Sequence, residues 1–319
     1  MSQVRTIFGS MEIGRRADME EGKKMLEIFE KEGFIEIDTA YMYAGGKTEV
    51  FLGNLKDGIS KDFEYATKAN PWDGKGLGAK SVRSQLETSL KNMKRDKADI
   101  FYLHAPDHNT PLLETLETVN TLYKEGKFKE FGLSNYSSWL VAEVVNVCKQ
   151  NGWIKPTVYQ GMYSALTRMV EKELFPCLRY HNIRFYGYSP LGGGFLTGKH
   201  KIDDLSKDEP GRFFGSGKWV TAYRNRYWKQ EYFDAVEAIR ESLKTAYGES
   251  VTVPEAAIRW LYHHSALKGG DGVIIGSSTA KHLEENLSYA KKGSLDDNVV
   301  AVINNIWKTT SHLCPEYSR

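Results

Sequence analysis

Six places in the chain put a side chain capable of acid–base or hydrogen-bond chemistry directly after a short apolar run: Asp38, Lys68, His104, Ser134-Asn135, Gln160 and Tyr188-Ser189. Tyr43 follows Asp38 by five residues, near enough to turn back over the same edge. Any one of these reads as a strand-end residue bonding the backbone. Six in succession describe a rim. Tyrosine, lysine and aspartate together suit one task. A free phenol has a pKa of about 10 and is a poor acid at neutral pH. A nearby ammonium would stabilise the phenolate and lower that value, and a carboxylate would keep the ammonium charged and in place. Histidine adds a hydrogen-bond donor for a carbonyl oxygen. Such a set delivers a proton to an oxygen on which negative charge is building, as carbonyl reduction requires.

Placing these residues on one rim asks for a repeated unit. β-prone runs lie at Thr6–Phe8, Phe34–Ile37, Tyr65–Thr67, Ile100–Leu103, Phe131–Leu133, Thr157–Tyr159, Arg184–Tyr188 and Val273–Ile275. Helical patterns alternate with them. Val82, Leu86 and Leu90 fall at four-residue spacing behind Ser81, the expected N-cap. Pro111 is expected at the first position of a helix carrying Leu112, Leu116 and Val119. Ser137 or Ser138 caps a third, ending near Asn151-Gly152. The first seven runs start roughly 30 residues apart, the length of a βα unit, and the eighth follows after nearly ninety. Alternation alone fits a doubly wound sheet as well as a barrel. The strand count favours a (β/α)8 TIM barrel with a long insertion after strand 7 and C-terminal helices, residues 1–319 forming one domain. Barrels hold their reacting groups at the C-terminal strand ends, where this rim lies.

Composition narrows the classes. The 319 residues are 41% apolar, enough for a full core, and 43 Lys+Arg against 41 Asp+Glu leave a net charge of +2, so neither nucleic acid nor an anionic membrane is an expected partner. No run of 18 apolar residues exists, and the start carries no charged-then-apolar leader, so a soluble cytoplasmic protein is expected. Cys148, Cys177 and Cys314 are too few and too scattered for a disulfide scaffold; the first two read as small core residues. His104 and His108 flank Asp107, but Pro106 interrupts any helix and no third ligand is evident, so no metal is expected. Nucleotide motifs fail as well: Gly193–Lys199 matches a phosphate loop until His200 replaces the magnesium-binding Ser/Thr. The glycines at Gly192–Gly194 still offer backbone N–H groups to a phosphate.

Ile37-Asp38-Thr-Ala-Tyr-Met-Tyr43, Ala66-Thr-Lys68, Leu103-His104, Gly132-Leu-Ser-Asn135, Tyr188-Ser-Pro-Leu191 and Ile275-Gly-Ser-Ser278 with Glu285-Asn286 together resemble the aldo-keto reductases over nearly the whole chain. Lys68-Ala-Asn-Pro-Trp-Asp-Gly-Lys75, His104-Ala-Pro-Asp-His108, Gln160-Gly-Met-Tyr163, Gly211-Arg-Phe-Phe214, Tyr223-Arg-Asn-Arg226 and Cys314-Pro-Glu-Tyr-Ser-Arg319 are similar to the aflatoxin-aldehyde (succinic semialdehyde) reductase branch. The resemblance implies NADPH-dependent reduction of aldehydes or ketones by a barrel that is often a homodimer. Tyr43 would be the general acid, with Lys68, Asp38 and His104 around it. Ser134, Asn135 and Gln160 would hold the nicotinamide carboxamide and Tyr188 would stack on its ring. The loop from Ser189 through Pro190, Leu191 and Gly193 to Lys199 would close over the pyrophosphate. Arg212, Ser278, His282, Glu285 and Asn286 would take the adenosine phosphate end, where a helix N-terminus also favours an anion. His282 departs from the wider family, which often has arginine there. Tyr223, Arg226 and Arg319 would face a substrate carboxylate, with Met11 and Trp72 also on the substrate side. A second resemblance, to the potassium-channel β subunits, shares the barrel and the cofactor but implies docking to a membrane protein. Against it, the chain has no extended N-terminal inactivating segment.

Overall fold

The computed structural model describes residues 4–55, 59, 62–206 and 211–319. Eight parallel strands pair in chain order into a closed barrel: β1 (Arg5–Gly9), β2 (Glu36–Asp38), β3 (Glu64–Ala69), β4 (Ala98–Leu103), β5 (Phe128–Ser134), β6 (Pro156–Met162), β7 (Arg184–Tyr188) and β8 (Gly272–Ile275). The ring closes where β8 lies beside β1, with Arg5 opposite Gly272 and Phe8 opposite Ile275. Six helices connect the first seven strands: α1 (Met19–Lys31), α2 (Lys47–Gly53), α3 (Ala79–Met93), α4 (Leu112–Lys124), α5 (Ser138–Asn151) and α6 (Leu174–Tyr180). The insertion between β7 and β8 holds α7 (Lys218–Tyr227), α8 (Gln230–Tyr247) and α9 (Val253–His263), and α10 (Ala280–Ala290) and α11 (Asp297–Thr310) follow β8. No helix among the described residues is long and apolar enough to cross a membrane.

Strand alternation decides what fills the barrel. Ile7, Ala66, Ile100, Tyr102, Val158, Tyr186 and Ile274 form its apolar interior, while a much larger cluster packs between strands and helices. Side chains two apart share a face. Two residues beyond Glu36, Ala66, Val158 and Tyr186 therefore come Asp38, Lys68, Gln160 and Tyr188, stacked above the apolar layer. The opposite end carries a charged layer instead, with Arg5 donating to Glu36 (2.8 Å), Tyr186 to Glu36 (2.7 Å) and Arg184 to both oxygens of Glu130 (2.7 and 3.0 Å). Gly132 is required by this packing: a Cβ there would stand 2.3 Å from the Tyr102 ring.

Local detail corrects several expectations. Ser81 does not cap its helix. α3 starts at Ala79 behind Gly78, because the Ala79 N–H finds its acceptor on Glu114 of the neighbouring helix (2.8 Å), and Ser81 instead accepts from Gln85 (3.0 Å). Pro111 is the residue preceding α4 and not its first member. Ser137 caps α5 by position but forms no side-chain cap bond, and Gly152 ends that helix at φ 65° as expected. The second strand begins at Glu36, two residues later than the apolar run, since Ile35 is exposed. Cys148 is buried in the core, whereas Cys177 is half-buried and donates to the Ser138 carbonyl.

Candidate active site

Four residues after β2 comes the short 3-10 segment Tyr43–Gly46, broken by a kink at which Ala44 takes φ 48° and Gly45 64°. That left-handed step is costly for a residue with a Cβ, and Tyr43, immediately before it, lines the cleft at the barrel mouth. Below it lies Lys68, fully buried, whose ammonium donates to Asp38 Oδ2 (2.7 Å) and the Thr39 carbonyl (2.7 Å) and reaches the Tyr43 hydroxyl at 3.5 Å. Its three donors are thus all directed. The other Asp38 oxygen accepts from the Gln160 amide (2.7 Å), and Ser10 bonds the Asp38 carbonyl (2.8 Å). On the outer face of β3, Thr67 bonds Glu49 of α2 (2.6 Å), tying the helix that follows Tyr43 to the strand that carries Lys68. His104 meets Tyr43 edge-on at 6.0 Å between ring centres and Trp72 at 5.0 Å, and its buried Nδ1 has no hydrogen-bond partner.

The electrostatics run against one expectation. Burial first, then the Asp38 charge, pushes the Tyr43 phenol well above its ordinary value of 10.0, where the sequence suggested lowering by lysine. Asp38 accepts from the ammonium at 2.7 Å, and its negative charge adds to burial in disfavouring the phenolate. Burial likewise lowers Lys68, opposed by Asp38, and holds His104 well below 6.5, helped by Lys68 and Arg319. Tyr43 therefore stays protonated and His104 neutral through the physiological range.

Stability should register the histidine. Below about 6.5 the unfolded chain takes up a proton that folded His104 refuses, so stability is full above that pH and declines as pH falls below it toward the depressed folded value. Thermal midpoints between pH 7.5 and 5 should fall for the wild type more than for His104→Gln. An equal decline in both would assign the effect to other groups.

The remaining rim continues into a cleft with a cavity volume of about 610 Å³. Asn135 and Ser189, at the ends of β5 and β7, hold φ values of 61° and 57°, backbone strain placed where side chains enter the cleft. Asn135 donates to the His104 carbonyl (2.8 Å) and accepts from the Tyr188 hydroxyl (2.8 Å). The C-terminal segment closes this side: the Arg319 N–H donates to the Asn135 carbonyl (3.0 Å), Tyr317 donates to Glu173, and the Arg319 guanidinium lies 5.3 Å from the Trp72 ring. Gly192, Gly193 and Gly194 all have positive φ, and a Cβ on Gly193 would meet the Tyr223 ring at 2.5 Å. At the far end stands the first turn of α10, whose cap Thr279 accepts from the His282 N–H (3.2 Å).

Nearly every residue singled out in the sequence lines this one cleft. Met11, Asp38, Tyr43, Trp72 and His104 stand at the Tyr43 end with Tyr223, Arg226 and Arg319. Asn135, Gln160, Tyr188, Ser189, Pro190 and Leu191 continue it, as do Gly193 and Lys199. Ser278, His282, Glu285 and Asn286 line the same cleft. Lys68 and Ser134 are buried behind the wall and do not line it. Arg212 lines the cleft with its guanidinium already engaged, on Glu12 at 2.6 Å and on the Tyr223 hydroxyl at 3.1 Å. The sequence reading missed Glu12, Arg15, Arg16 and Trp219, all of which line the cleft.

A model of the aldo/keto reductase family matches residues 5–308. The chain is 51% identical to aflatoxin B1 aldehyde reductase member 2 of Rattus norvegicus, covering 98% of this chain and 87% of that protein. It is 50% identical to aflatoxin B1 aldehyde reductase member 4 of Homo sapiens (98% and 96% covered). It is 48% identical to aldo-keto reductase family 7 member A3 of Homo sapiens (98% and 97%).

Proposed function

The chain belongs to the aldo/keto reductase family and is a nicotinamide-dependent oxidoreductase, and from that premise we propose that it reduces aldehydes, carboxylated ones preferentially, with NADPH. The observation that carries the reading is the Tyr43 hydroxyl, protonated and 3.5 Å from the Lys68 ammonium, which Asp38 holds at 2.7 Å. The cleft fits a dinucleotide: its volume lies in the range of small-molecule sites, its glycine loop has no room for a Cβ at Gly193, and an 11-residue helix points its N-terminus and His282 into the far end. Lys199, Ser278, His282 and Asn286 would hold the phosphates, with Asn135 and Gln160 at the carboxamide and Tyr188 against the ring.

A reduced nicotinamide, when bound, supplies the hydride. Tyr43 gives its proton to the substrate oxygen as charge develops there, and the Lys68 ammonium stabilises the phenolate left behind. Neutral His104 orients the carbonyl oxygen from the other side. Tyr188 is raised chiefly by burial and drawn back by Arg319 and Arg226, so both guanidinium groups act on one hydroxyl of the cleft. A carboxylate on the substrate would lie between them, a role suited to the planar fork of arginine.

The test is loss of NADPH absorbance with matched acidic and neutral aldehydes, repeated with NADH. Arg226→Ala should raise KM for succinic semialdehyde about 10- to 100-fold, the scale of a lost charge-assisted pair, and that for a neutral aldehyde far less. Equal shifts for both would remove the carboxylate reading. Tight NADPH binding without turnover on any aldehyde would remove the reductase reading as well.

A further inference from the structure

Glu12 ends the short 3-10 turn Ser10–Glu12 that follows β1 directly, is 2% exposed, and has its carboxylate bonded by arginines. Its Oε2 accepts from Arg16 Nε (2.6 Å); its Oε1 accepts from Arg212 Nη2 (2.6 Å) and Nε (3.1 Å), with Arg15 Nη1 3.6 Å away. Burial alone would raise this carboxyl, but the Arg16 bond and the Arg212 charge hold it down to about 2, so it is charged at any working pH. Its own carbonyl accepts from the N–H groups of Arg15, Arg16 and Ala17, which fixes it to the barrel side. Arg212 belongs to the insertion, 200 residues further along the chain. The remaining edge of its guanidinium donates to the Tyr223 hydroxyl (3.1 Å) and the group lies 5.3 Å from that ring. Arg226 lies 5.7 Å from the same ring on α7.

We infer that Glu12 is a positioning residue for substrate selection: it fastens Arg212, and through it the Tyr223–Arg226 segment, to the barrel rim. Arg212 is then a strut and not an anion ligand, since its donors face Glu12 and Tyr223. Among the described residues no side-chain carboxylate pairs with Arg226 or Arg319, which leaves these two to read an anion brought from outside. The inference rests on the carboxylated-aldehyde reading for its kinetic effect, while the tether itself is open to a separate measurement.

Glu12→Gln and Arg212→Met, singly and together, provide the test. Each single change should raise KM for succinic semialdehyde at least about 10-fold and for a neutral aldehyde less than about 3-fold, with the double variant no worse than the worse single, as expected for partners in one interaction. The cofactor dissociation constant, read from tryptophan fluorescence, should stay within about 3-fold. Independently of any substrate, trypsin cleavage after Lys218 and Arg224, followed by mass spectrometry, should quicken at least about 5-fold in both singles as the segment opens more often. Unchanged cleavage, multiplicative effects in the double variant, or a lower KM for the acid would overturn the inference. The last would make Glu12 a shield that competes with the anion. Faster cleavage with no acid preference in the wild type would instead sink only the carboxylate reading and leave the tether standing.

Discussion

Tyr43→Phe is expected to lower kcat for aldehyde reduction by about 10²- to 10⁴-fold, the usual contribution of a positioned proton donor. The ring would stay, since its packing against His104 and over the Lys68 ammonium (5.0 Å to the ring centre) involves no hydroxyl. Cofactor affinity should therefore hold while turnover is lost. The pH profile gives the same residue a second reading. A phenol held above its ordinary value remains protonated through neutrality, so wild-type kcat should be level there and decline only on the alkaline side. A decline centred near neutrality would mean that another group supplies the proton.

The second large effect concerns the charge beneath that phenol. Lys68→Met leaves Asp38, 4% exposed, with the Gln160 amide as its one remaining side-chain partner among the described residues, and breaking a buried pair in this way costs about 3–5 kcal/mol. Turnover should fall at the same time, because the phenolate left after proton transfer loses its counter-charge. Lys68→Met with Asp38→Asn separates the two consequences. The double variant removes the stranded charge and should recover much of the stability measured by urea unfolding, while turnover stays low. A double variant as unstable as the sum of its singles would show that the two residues act independently of each other.

Much of this was legible in the sequence because strand periodicity is local. Asp38, Lys68, Gln160 and Tyr188 face the barrel interior because they stand two residues beyond Glu36, Ala66, Val158 and Tyr186 on the same strand faces, and the alternation within each strand reveals this. Ser81 was misread because its helix takes a first-turn acceptor from Glu114, a contact no local pattern records. The Glu12–Arg212 pair was invisible for the stronger reason that its partners stand 200 residues apart and neither neighbourhood announces the other. The direction of the Tyr43 shift was misjudged because composition names the charges near a group but not the depth at which they lie. Burial is the largest cause there, and the Asp38 charge adds to it.

The pairing of β8 with β1 carries one more consequence, for the order in which the protein is assembled. Residues 5–8 find their partners at 272–275, so the ring closes only after almost the entire chain has been gathered. Contacts of such separation form late and slowly. Gly9, Met11 and Glu12 come from one side of that seam, Gly276 and Ser278 from the other, and all of them line the cleft. An open ring would hold Tyr43 and Lys68 on neighbouring strands with half a cleft in front of them. A dinucleotide held in that cleft, as proposed above, would report that the seam has shut, and by binding the closed ring would favour the last folding step.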